Sequence, residues 1–273
     1  MVVGCTGLAW ACLLLGTEAG AQAVALRIHP RVGDTLHTRL DQRMEVSASD
    51  ISGAARGRPL ITSVTIFSRS IVESSLASSS VVLTVVDSAH MRSNDSHGAE
   101  QVAAAERALE EQRLLLQLAS DGSVESASDG GGRPVSRDLA DAMAAMPAAF
   151  PRRPVRVGDE WSREMPLPSG SPLGSRGAGY VSAHFRLDSL SRGDHVAYVT
   201  MHGDIRPASG NDGVQLSGSI SGAMRLDRER GWMTDSQVTV IVRSLVTPPP
   251  GSGRAAMRFV THVTQRLRTM DKR

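Results

Sequence analysis

The sequence predicts a mainly β protein: two related halves of long antiparallel strands forming a curved sheet, half-barrel or barrel, with two short helices. Three observations carry that expectation. Residues 35–46 alternate strictly, with Leu36, Thr38, Leu40, Gln42, Met44 and Val46 on one face and His37, Arg39, Asp41, Arg43 and Glu45 on the other. Period-two alternation with a charged outer face describes a half-buried antiparallel strand. Aromatic residues make up only 3% of a chain that is 41% hydrophobic, so its core is built from Val, Leu, Ile, Met and Ala. Finally, Arg31-Val32-Gly33-Asp34 recurs 125 residues later as Arg156-Val157-Gly158-Asp159. Glycine suits a left-handed turn position and the aspartate can bond the backbone beside it. Each copy therefore opens one half.

The chain has 273 residues, long enough for one large β domain. Residues 7–16 form an apolar run of signal-peptide length, followed by Ala21-Gln22-Ala23. The reading is an export signal over 1–23, a first half over 24–132 and a second over 133–273, the two halves making one continuous domain in the periplasm or outside the cell. No Lys or Arg precedes the apolar run, which is atypical. Cys5 and Cys12 both lie before the expected cleavage point, so disulfide and thiolate chemistry are absent from the processed chain. No later apolar run reaches the roughly 18 residues of a membrane-spanning helix.

Residues 60–73 and 80–87 are β-branched runs separated by serines and read as paired strands. Residues 99–111 are strong helix formers and read as a short exposed helix. Strands over 113–119 and 123–128 follow, joined at Asp121-Gly122, before the glycines of 130–132. Ser136 caps a second helix in which Leu139, Met143 and Met146 form one apolar stripe, ended by Pro147 and Pro151. The plain reading of that stripe is core packing against the sheet. The functional one is a pliable, Met-lined cover over an apolar pocket.

A strand over 160–165 and a loop rich in Pro, Gly and Ser lead to further hairpins. Val181, Ala183, Phe185 and Leu187 face Ala197, Val199 and Met201. Residues 214–226 give the cleanest alternation in the chain, and Val238, Val240 and Val242 share a face in the next strand. The last strand places Met257, Phe259, Val263 and Leu267 inward. Laid over one another, residues 60–87 match 180–205, and 114–124 match 224–234.

Common catalytic constellations are missing. The chain contains no HExxH, GxSxG or Cys/His cluster, and its single lysine, Lys272, serves no P-loop or Schiff base. His184 and His202 fall diagonally on one polar face without a carboxylate at ligand distance, which reads as surface rather than metal. Formal net charge is +2 with no basic block, which argues against nucleic acid. Scattered aromatics offer no stacking platform. A membrane barrel is disfavoured because the face opposite the aliphatic one carries Arg, Asp, Glu and Ser.

The segment Phe150-Pro151 through Pro154-Val155-Arg156-Val157-Gly158-Asp159-Glu160-Trp161 resembles an (F/L)PxxPVxVGDxW motif of uncharacterised exported bacterial proteins, a domain-of-unknown-function class. At the level of fold analogy, an exported curved sheet with covering helices is similar to the LolA/LppX type of lipid or lipoprotein carrier. The resulting expectation is an exported, non-enzymatic protein without cofactor or metal. It holds a lipid or other hydrophobic ligand in an apolar groove, with Met143, Met146, Phe150 and Trp161 as ligand-binding residues. Two alternatives stand beside it. One is a structural or protein-interaction module of the cell envelope with a filled core. The other is a hydrolase with an unrecognised site.

Overall fold

In the computed structural model, residues 22–95, 98–110, 112–135, 149–167, 179–208, 215–247 and 255–270 are described. The chain forms β1 (Thr35–Asp50), β2 (Leu60–Ser75), β3 (Ser79–Ser93), α1 (Ala99–Leu109), β4 (Arg113–Ala119), β5 (Val124–Asp129) and β6 (Glu160–Pro166). It continues through β7 (Gly179–Leu190), β8 (Val196–Pro207), β9 (Gln215–Asp227), β10 (Trp232–Val246) and β11 (Met257–Met270).

All eleven strands belong to one antiparallel sheet in the order β5-β4-β3-β2-β1-β11-β10-β9-β8-β7-β6. The expectation had left a half-barrel and a closed barrel open. The observed sheet is curved and does not close, because β5 and β6 remain as its two edges. Of the two expected helices, α1 is present and exposed. The second lies outside the described residues. α1 packs on β3, and His90 Nδ1 lies 3.4 Å from Glu106 Oε1, which places the helix against the polar side of the sheet.

The centre of the sheet is a seam between the first strand and the last. β1 and β11 pair from His37 opposite Met270 to Asp50 opposite Met257. From this seam β1 to β5 run outward in one direction and β10 to β6 in the other.

The two Arg-Val-Gly-Asp turns are built alike. Gly33 has φ 85° and donates to the Val72 carbonyl, while Val72 donates back to the Asp34 carbonyl. Gly158 has φ 93° and donates to the Leu187 carbonyl, while Leu187 donates to the Asp159 carbonyl. A left-handed glycine in each copy lets the chain turn into a strand with its backbone groups already paired. These bonds set Leu36 of β1 in the place of Trp161 of β6, and Thr38 in that of Arg163.

Two segments without ladder structure form a floor at this turn-bearing end of the sheet. Val24 exchanges backbone hydrogen bonds with Val155, Ile28 donates to Ser120 between β4 and β5, and His29 donates to Gly231 between β9 and β10. Phe150 donates its N–H to the Asp121 carbonyl. Turns from distant parts of the sheet are thereby tied to the same short stretch of chain. Leu26, Phe150 and Val155 are almost fully buried against Phe185, Leu187, Val199 and Leu226.

Glycines on the inner face stand where neighbouring strands leave no room for a side chain. A methyl group on Gly203 would run into the Ser182 carbonyl oxygen, and one on Gly222 into that of Gln237. Both glycines allow neighbouring backbones to approach more closely than a Cβ permits.

Candidate functional site: the concave aliphatic face

Because strand side chains alternate, register alone assigns each residue to one side of this sheet. One row runs Arg163, Ala183, Gly203, Ile220, Val240, Val263, Met44 and Thr62 across β6, β7, β8, β9, β10, β11, β1 and β2. The next row toward the floor runs Trp161, Phe185, Met201, Gly222, Val238, Gln265, Gln42 and Val64. On the other side of the first row lies Met165, Val181, Ile205, Gly218, Val242, Thr261, Val46 and Leu60. The result is a largely apolar surface from β6 to β2, interrupted by Arg163, Gln42, Gln265, Thr62 and Thr261.

Burial divides this surface. Under the floor segments, on β7 and β8, Ala183, Phe185, Leu187, Val199 and Met201 are buried. Toward the seam Leu40, Met44, Val64, Ile66, Val240, Val263 and Leu267 remain partly exposed, and Leu60 is 39% exposed. Partly wetted aliphatic side chains on contiguous strands are the feature expected of a surface that receives apolar material.

The opposite face is polar and paired. Asp41 accepts from Arg39 at 2.8 Å, from Thr65 Oγ1 at 3.0 Å and from Arg268 at 3.3 Å. The Arg39 hydrogen bond, together with those from Thr65 and Arg268, holds the Asp41 carboxyl below its ordinary value against a smaller opposing effect of burial. Arg69 bonds Asp87 at 2.6 Å and Arg266 bonds Asp235 at 3.2 Å. Such pairs describe a solvated exterior.

The four residues expected to bind a ligand fall in different settings. Met143 and Met146 lie outside the described residues. Phe150 is 2% exposed and belongs to the floor. Trp161 stacks on Phe185 with ring centroids 5.8 Å apart and donates its indole N–H to the Ala149 carbonyl at 2.9 Å. Phe150 and Trp161 therefore come together as the packed wall at the β6 edge of the concave face.

Sequence reasoning passed over Arg163, although its signal was present. Alternation along Trp161-Ser162-Arg163-Glu164-Met165 puts the arginine on the same side as Trp and Met. Its Nη2 donates to the Phe150 carbonyl at 2.8 Å, and its Nε is buried without a partner.

Other clusters carry less chemistry. His184 and His202 stand directly opposite one another rather than diagonally, with ring centroids 5.4 Å apart, and Ser162 Oγ lies 2.9 Å from His184 Nδ1. No group of three metal-ligating side chains occurs among the described residues. A recess of about 420 Å³ at the turn end is lined by Arg31, Asp34, His37, Asp227, Glu229 and Arg230. Its charges are of both signs. No helix among the described residues is long and apolar enough to cross a membrane.

No family model matches the chain, and no curated protein does. Solved structures do. A lipovitellin structure, described as concerning lipid–protein interactions in lipovitellin, is similar at TM-score 0.50 and 7% identity, covering 88% of this chain and 25% of its own. The chain thus spans about a quarter of that protein. Two bacterial structures align less well. They are DynF of the dynemicin biosynthesis pathway of Micromonospora chersina (TM-score 0.23, 8% identity, 93% of this chain and 88% of its own) and the outer membrane protein OprG of Pseudomonas aeruginosa (TM-score 0.24, 9% identity, 89% and 98%). Of these three, the lipovitellin likeness reaches a level that bears on fold, and what it supports is a large curved antiparallel sheet.

Proposed function

We propose that this is an exported, non-enzymatic protein that holds an acyl-chain lipid against the concave aliphatic face of its sheet. The observation that carries the reading is the inner-face row Ile220, Val240, Val263 and Met44 across β9, β10, β11 and β1, whose side chains stay partly exposed while the opposite face is charged and paired. Burying such side chains contributes about 25 cal/mol per Å² of apolar area, so even part of one row covered by an acyl chain yields useful affinity. Lipovitellin, which shares the curved-sheet architecture, is described with lipid–protein interactions. That is a property of lipovitellin, and it enters here as fold analogy. Export rests on the apolar run at residues 7–16 and the small residues Ala21 and Ala23.

Native mass spectrometry of residues 24–273, isolated from a bacterial periplasm without detergent, tests the reading. A reproducible adduct of lipid mass, extractable into organic solvent, is the expected result. A clean apo mass, together with no uptake of added lysolipid, would overturn it in favour of a structural or interaction module. In that case the unpaired edges β5 and β6 become the surfaces to examine.

A further inference from the structure

The concave face is almost devoid of charge, and the exceptions differ sharply. Among the described strand residues, register places Asp50, Asp129 and Arg163 in its positions. The two aspartates stand at strand ends and bond their own turns, Asp50 with Ser52 and Ala54 and Asp129 with Gly131 and Arg133. Arg163 sits in the middle of β6, between Trp161 and Met165, and faces Ala183, which is fully buried. No carboxylate pairs with it among the described residues, and its buried Nε donates to nothing. The side chain as a whole keeps partial exposure.

The corresponding place in the first half shows what a purely structural solution looks like. There Thr38 stands in the position of Arg163 and Ser68 in that of Ala183, and their hydroxyls bond one another at 2.7 Å. That neutral pair satisfies itself. In the second half the pair is an arginine and a methyl group, so a positive charge is set in an apolar surface with donors to spare. A backbone carbonyl, here that of Phe150, needs only one neutral donor and does not account for a guanidinium. A cation in such surroundings is costly unless an anion and its hydrogen bonds offset the lost hydration.

We infer that Arg163 receives the anionic head of an amphiphile, a carboxylate or a phosphate, whose apolar body reaches past Ala183 and Gly203 to the open part of the same row at Ile220, Val240 and Val263. This rests on the lipid-binding reading above. The guanidinium is suited to the role because it presents its donors in a planar fork that matches both anions and stays charged at any physiological pH. The row starts at the arginine, is covered over Ala183 and Gly203, and opens at Ile220, Val240 and Val263. At about 4.8 Å per strand, the row from β6 to β11 spans roughly 24 Å, the length scale of a common fatty acyl chain with its head, and its two last steps, roughly 10 Å, are open apolar surface. Head and tail requirements therefore meet on one line.

The test uses the full processed chain, stripped of lipid, and three probes below their critical micelle concentrations at pH 8: palmitate, 1-palmitoyl-lysophosphatidate and the neutral 1-palmitoylglycerol. Wild type should bind one or both anions at least about tenfold more tightly than the neutral ester, the scale of a charge-assisted hydrogen bond. The stronger of the two anions identifies carboxylate or phosphate as the head. Arg163→Gln should erase the preference while leaving palmitoylglycerol binding within about twofold, and Arg163→Lys should keep most of it. Equal wild-type affinity for all three probes would overturn the inference and leave the apolar groove standing. So would an Arg163→Gln protein that retains the anion preference. Binding of no probe would instead remove the lipid reading as a whole. Melting curves establish that the variants fold. If Arg163→Gln does not fold, the wild-type selectivity and Arg163→Lys decide the matter.

Discussion

Asp121 shows how much one side chain ties together. It is 4% exposed, between β4 and β5. Its carboxylate accepts from the Ser123 hydroxyl at 2.7 Å, from the Ser123 N–H at 3.2 Å and from Arg152 Nε at 3.3 Å, while its carbonyl holds Phe150. Burial pushes this acid up, but the Ser123 and Arg152 bonds outweigh burial and hold it below the ordinary carboxylate value. An acid depressed in the folded state leaves the unfolded chain binding more protons, so its contribution is complete above the unfolded value of about 4 and fades as pH falls through the folded one. Asp121→Asn should therefore lower stability by about 1–2 kcal/mol at pH 7 and by progressively less toward pH 3. Urea midpoints measured across that range check it, and a deficit that stays constant with pH would contradict the ionic role. Sequence showed Asp121-Gly122 as a turn, but a partner 31 residues away is invisible to local pattern. Arg163 was legible in face and not in consequence, because only the fold reveals that no carboxylate among the described residues meets it.

Among the elements, strand positions were the most readable part of the molecule. Runs expected at 113–119, 160–165 and 214–226 appear as Arg113–Ala119, Glu160–Pro166 and Gln215–Asp227. Alternation reports a local physical fact, the side of the sheet each residue faces, and needs no knowledge of neighbours. The inward set Met257, Phe259, Val263 and Leu267 was recovered for the same reason. The stretch from Val24 to Pro30 was not recognised as core. It has no ladder of its own, and its apolar residues acquire meaning only from turns contributed by β4, β5, β9 and β10. Gly203 within β8 is a point of close backbone approach. Gly203→Val should cost about 1–3 kcal/mol or more through strand displacement, since the new side chain meets the Ser182 carbonyl. A denaturant midpoint unchanged from wild type would refute that account.

For the whole molecule, the floor and the seam determine integrity. Leu26 is 1% exposed in the crossing segment, and Leu26→Ala should destabilise by about 2–5 kcal/mol, read as a fall in thermal midpoint with secondary structure retained below it. A loss under about 0.5 kcal/mol would mean that the floor is dispensable to the sheet. The seam could not be foreseen from sequence, because β1 and β11 match any aliphatic antiparallel partner equally well and only the complete sheet selects the pairing. It also governs timing. The central ladder joins His37 to Met270, so the sheet cannot be completed until its last strand in chain order has arrived, and every earlier intermediate carries open strand edges on both sides of the gap. Pairings this distant in sequence must overcome loop-closure entropy before they return any stabilisation, which slows folding. Before that pairing the two ladders, β5 to β1 and β11 to β6, expose four strand edges where the finished sheet exposes two.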